Sequence, residues 1–147
     1  MARINVGGID QVQTRPPALP PLKTALVRVS GAEAVDFDGK GGKIRAINWE
    51  LTVLEGQYAN RKVYHKTNYD VDPAELATWK SSDFDYRGPL KQFLEACGGG
   101  WDPDGFDTEN FIGRELTVDV TQREYEGELY NDVKRPKAIA GSNAPQG

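Results

Sequence analysis

An all-β domain with a single helix is the fold class this sequence predicts, and three observations predict it. Segments that alternate apolar and polar residues recur along the chain, most clearly at residues 44–54 and 115–124. Clusters of Gly, Asn, Asp and Pro separate them, as turns require. Only one longer stretch, residues 86–96, repeats apolar residues at helical spacing, and it falls between the third and fourth alternating segments. Five strands with a helix between the third and the fourth is the order of a five-stranded OB-fold, a small Greek-key barrel that such a helix caps at one end.

Each element has its own reason. Residues 1–21 read as a flexible Pro-rich arm, because Gly7, Gly8 and the prolines from Pro16 to Pro21 oppose regular structure. Residues 22–138 form the barrel domain, and residues 139–147 read as a polar, disordered tail. The first strand is residues 23–30, rich in β-branched side chains. Residues 31–42, ending in Gly39, Gly41 and Gly42, read as a mobile loop. The second strand puts Ile47, Trp49, Leu51 and Val53 on one face and Ala46, Asn48, Glu50 and Thr52 on the other, so Trp49 belongs to the core. A hairpin at residues 55–60 leads to the third strand, residues 61–68. Asp72 and Pro73 open a short helix. Leu90, Phe93 and Leu94 form the apolar stripe of the main helix, extended by Cys97 and stopped by Gly98. Leu116, Val118 and Val120 mark the fourth strand, a tight turn follows at residues 125–128, and residues 129–135 form the last strand, which Pro136 ends.

Composition excludes several function classes. No run approaches the roughly 20 apolar residues of a membrane-spanning helix. One cysteine rules out an internal disulfide, and one His with one Cys leaves a structural zinc site short of ligands. The glycine-rich turn lacks the spacing of a nucleotide loop. The acids of residues 102–109 miss the calcium-loop pattern, since Phe106 and Asp107 stand where a ligand and a glycine are needed. A lone His65 on a strand has no nucleophile beside it, so the chain does not read as an enzyme and no cofactor is expected.

The charge of −4 is unevenly spread. Residues 60–69 hold Arg61, Lys62 and Lys66 with no acid, and residues 133–147 hold Lys134, Arg135 and Lys137 with none. Alternation sends Val63 and His65 inward and leaves Lys62, Tyr64 and Lys66 as an outward row of cation, aromatic and cation. The outer face of strands two and three is where an OB-fold binds oligonucleotides, together with two of its loops. Single-stranded nucleic acid is held by aromatic platforms inside a cationic groove. The binding candidates are therefore Asn48, Arg61, Lys62, Tyr64, Lys66, Tyr69, Tyr125, Tyr130, Lys134 and Arg135.

Several stretches also carry a resemblance: L-T-V-L-E-G-Q-Y-A-N-R-K-V-Y-H from Leu51 to His65, G-P-L-K-Q-F-L-E-A-C-G from Gly88, Ile112-Gly113-Arg114-Glu115-Leu116, and Tyr125-Glu126-Gly127 with Asn131-Asp132-Val133-Lys134. In this order they resemble a group of small bacteriophage OB-fold proteins, long described as a domain of unknown function and regarded as single-stranded-DNA-binding proteins. The resemblance implies sequence-independent binding of single-stranded DNA during phage replication and recombination, in the cytoplasm of the bacterial host. It implies single-stranded DNA as the partner, with phage recombination or replication proteins and further copies of the chain as other candidates. The tail departs from the acidic tip by which bacterial single-strand binders recruit partners, because it is basic and then neutral. The alternative is a protein-interaction or structural module on the same barrel, since a fold does not dictate its ligand.

Overall fold

The structure, a computed structural model, describes residues 2–5, 7, 17–79 and 85–139. Among these residues five antiparallel strands build one sheet: β1 (Leu22–Asp38), β2 (Lys43–Val53), β3 (Lys62–Val71), β4 (Glu115–Tyr125) and β5 (Glu128–Lys137). Among the described residues, two short helices, α1 (Pro73–Leu76) and α2 (Gly88–Ala96), and a 3-10 turn (Thr108–Phe111) lie between β3 and β4. The sheet order is β3-β2-β1-β4-β5. β1 holds it together by pairing with β4 through its first half and with β2 through its second, where the register shifts at a bulge between Val29 and Gly31. The sheet curls into a half-barrel, and its edges β3 and β5 come within 8 Å of each other with no ladder between them.

Alternation explains which face is inside. Ile47, Trp49, Leu51 and Val53 of β2 are buried, as are Leu116, Val118 and Val120 of β4. α2 lays Leu90, Phe93 and Leu94 over this concave face. Trp49 lies at the centre and is fully buried. Its ring stacks on Phe93 at 4.6 Å between centroids, and its indole N–H donates to the Thr67 hydroxyl at 2.9 Å. That bond satisfies the one polar atom that burying a tryptophan strands.

Four sequence expectations need correction. Residues 31–42 are not a mobile loop: β1 continues to Asp38, and only residues 39–42 turn. Gly31, Ala32, Glu33 and Ala34 have weak strand propensity, but β2 supplies a full antiparallel partner for them. The turn itself is fitted to α1, where the buried Glu75 carboxylate accepts the Gly41 N–H at 3.3 Å and the Thr78 hydroxyl at 3.1 Å. Second, Pro136 does not end β5 but lies buried inside it, beside Arg135 at φ 52°, where the ladder to β4 is irregular and needs no N–H. Third, α2 starts at Gly88 rather than at residue 86, with Pro89 in the first turn where its missing N–H is harmless.

Fourth, the arm reading does not hold for residues 17–21. Leu19 is 1 % exposed and belongs to the core cluster. Residues 2–5 and 7 lack strand or helix, and the rest of the arm lies outside the described residues, as does the tail from residue 140 onward. The β4–β5 connection is the tight turn expected at residues 125–128, with Tyr125 paired to Glu128. Glu126 (φ 52°) and Gly127 (φ 79°) alone make the loop, the positive-φ pair that a two-residue hairpin uses.

Candidate nucleic-acid interface

The seam between β3 and β5 opens as a groove of about 540 Å³. β3 contributes Lys62, Val63 and Tyr64, with Asn60 and Arg61 just before it; β5 contributes Leu129, Tyr130 and Asn131; β4 contributes Arg123; and Pro17 and Ala18 complete the lining. Four of the sequence-chosen residues thus meet at one place: Arg61, Lys62, Tyr64 and Tyr130. Residues 61–64 and 130 are far apart in the chain, and curling of the sheet brings their strands together.

Tyr64 is half exposed and stands opposite Glu50 of β2. Lys62 lies two residues away on the same face and pairs with the Glu50 carboxylate at 3.1 Å. The Ser30 hydroxyl and the Lys62 ammonium hold Glu50 below the usual carboxylate range. Across the groove the Arg123 guanidinium lies 5.3 Å from the Tyr130 ring and pairs with Asp132 at 3.1 Å. The Tyr130 hydroxyl donates to Glu128 at 3.0 Å. The Arg61 guanidinium donates to the Pro17 carbonyl. Exposed ion pairs of this kind contribute only about 0–1 kcal/mol, so they hold these cations weakly.

The other candidates lie elsewhere. Asn48 and Lys66 face each other across β2 and β3 on the outer face, continuing the Tyr64 row away from the groove. The Lys66 ammonium sits 4.8 Å from the Phe37 ring centre. Tyr125 is 58 % exposed at the end of β4, opposite Glu128. Lys134 stands opposite Asp119, and Arg135 pairs with the same carboxylate at 3.0 Å, so both belong to the far end of β5. Tyr69 leaves the row. The register shifts between Arg45 and Ala46, and Tyr69 lines a second cleft of about 560 Å³ with Ile47, Leu90, Trp101 and Phe106.

Burial shifts two titratable side chains, His65 and Cys97, in opposite directions. Burial pushes the His65 imidazole down to about 4, and its ring packs 5.5 Å from Phe93. Burial pushes the Cys97 thiol up to about 12, a rise that the nearby Arg114 only partly offsets. Among the described residues no three of His, Cys, Asp and Glu gather closely enough to hold a metal ion. Sequence reading missed Arg123 and Phe37. Arg123 was findable, since it alternates with Thr121 and Tyr125 on the face opposite Val118 and Val120. Phe37 was hidden by the reading of its segment as a loop.

The fold and the groove together define a curled antiparallel β protein with a cationic, tyrosine-walled seam. A family model described as "Protein of unknown function (DUF669)" matches residues 26–146, and the chain belongs to that family. No curated protein matches it.

Proposed function

We propose that this protein is a non-catalytic, sequence-independent single-stranded-DNA-binding protein on an OB-type barrel, serving phage replication and recombination in the host cytoplasm. The single observation that carries the reading is the seam groove, where Tyr64 and Tyr130 meet Arg61, Lys62 and Arg123. Aromatic platforms stack bases of any identity at about 1–3 kcal/mol each, while cations track the phosphates. The barrel assignment draws support from the strand order β3-β2-β1-β4-β5, from β1 shared between β2 and β4, and from helices placed between β3 and β4. Among the described residues no helix is long and apolar enough to cross a membrane.

The test is fluorescence anisotropy of labelled oligonucleotides: unstructured single-stranded DNA, single-stranded RNA of the same sequence, and duplex. Salt-dependent binding that favours single-stranded DNA supports the reading. Absence of binding to single-stranded DNA at low salt sinks it. A protein-interaction module is the second reading, and the observation favouring it is that Lys62 and Arg123 are already paired with carboxylates on an acidic chain. A stoichiometric protein partner that survives nuclease, with no oligonucleotide affinity, decides for it.

A further inference from the structure

The groove has a floor that comes from outside the sheet. Residues 17–21 cross the seam between the edge strands, and both edges grip them. From the β3 side, the Arg61 guanidinium donates to the Pro17 carbonyl. From the β5 side, the Asn131 amide makes two bonds to the backbone of one residue: its Oδ1 accepts the Leu19 N–H at 2.9 Å, and its Nδ2 donates to the Leu19 carbonyl at 2.9 Å. The Gln122 amide of β4 donates to the same carbonyl at 2.9 Å. Asn131 thus supplies to Leu19 the donor and acceptor that a neighbouring strand's backbone supplies in a ladder. The amide's orientation follows from the network, because only its oxygen can accept a backbone N–H. Below the strap the Leu19 side chain is buried in the core.

The composition suits this place. Of residues 17–21 only Ala18 and Leu19 carry a backbone N–H, so the segment brings few donors into a seam that offers few acceptors. Its prolines also limit the conformations it loses on docking. The feature that made these residues look like a free arm is what fits them to bridge two strand edges.

We infer that residues 17–21 are a seam strap that sets the separation of β3 and β5, with Asn131 and Arg61 as its two positioning residues. The strap fixes how far Tyr64 stands from Tyr130, and so fixes what the groove admits. Its importance for DNA rests on the function proposed above; its effect on the seam does not.

Two measurements test it, one independent of any ligand. In the wild-type chain the Leu19 amide is protected from hydrogen exchange to the level of β4 and β5 amides; exchange at the rate of a free peptide overturns the strap. For the seam, spin labels are placed at Lys62→Cys and Glu128→Cys, with the native Cys97 buried in the core. Asn131→Leu, which keeps the size and removes both bonds to Leu19 together with the 3.3 Å bond to the Thr121 carbonyl, broadens the distance distribution. Deletion of residues 1–16 leaves the distribution as it was, and deletion of residues 1–21 broadens it. A distribution that neither Asn131→Leu nor the longer deletion alters overturns the inference, whatever the protein binds.

In unlabelled protein, Asn131→Leu lowers affinity for an oligo-dT of about 15 nucleotides, near the upper site size of one OB fold, with its salt slope unchanged because every phosphate-facing cation remains. The loss is about tenfold, the scale of lost preorganisation. A broadened seam in a protein whose wild type ignores DNA overturns the DNA reading and supports the strap. A broadened seam with undiminished DNA affinity supports the strap as a spacer and overturns its control of the groove.

Discussion

Replacing Arg114 by alanine removes the clamp between α2 and β4. Its guanidinium reaches three backbone carbonyls: Asn110 at 3.0 Å, Cys97 at 3.2 Å, and Gly99. Cys97 and Gly99 follow the last turn of α2, where helix carbonyls lack intrahelical donors and the dipole favours a cation. The same group lies 4.5 Å from the centre of the Phe111 ring. Hydrogen bonds from a charged donor contribute about 1.5–3 kcal/mol each when buried, and these are only partly so. Together with the ring contact, the expected loss is about 2–4 kcal/mol. In urea, with a slope of about 2 kcal/mol per molar, the unfolding midpoint drops by about 1–2 M. Arg114→Lys keeps the charge but not the planar fork, so it recovers only part of the loss. A midpoint within error of wild type for Arg114→Ala, or full recovery by lysine, refutes the clamp.

Two further outcomes follow from the interior. His65 is held neutral, with its pKa lowered from 6.5 to about 4 by burial. The unfolded chain therefore binds the extra proton, and stability that is complete above pH 6.5 falls as pH drops toward 4, by about 3 kcal/mol at most. Urea melts from pH 7 to 4 show that loss, and it shrinks in His65→Phe; an equal pH dependence in the variant refutes the assignment. Gly39→Ala would set a Cβ 1.9 Å from a Glu75 carboxylate oxygen, destabilising by about 1–3 kcal/mol. Combining it with Glu75→Ala relieves the clash, so a double variant less stable than the sum of the singles contradicts this packing.

Much of the fold was legible because alternation is strong where one face is buried. β2 reads correctly from Ile47 to Val53, and the same rule placed Trp49 inside and Tyr64 outside. Legibility failed where tertiary partners override local propensity. The second half of β1 is a strand because β2 pairs with it, and a stretch containing Gly31, Ala32 and Ala34 carries no signal of that. Residues 17–21 are docked because Leu19 has a core site and Asn131 waits across the seam, more than 100 residues away in sequence. The candidate site was half legible. Composition pointed to residues 61–66, but only the curl of the sheet brings Tyr130 and Arg123 beside them. Lys134 and Arg135, equally basic in sequence, face Asp119 instead.

The most direct test of the central claim is the salt dependence of oligo-dT binding in wild type, Tyr64→Ala and the double variant Lys62→Ala/Arg123→Ala. Arg61, Lys62 and Arg123 line the groove, so three neutralised phosphates give a log–log slope of about −2 for a single strand. The double variant brings the slope to about −0.7, while Tyr64→Ala weakens binding by about 1–3 kcal/mol with the slope intact. Single-stranded DNA that does not bind at low salt, or a slope indifferent to the loss of both cations, contradicts the claim that this seam holds single-stranded DNA.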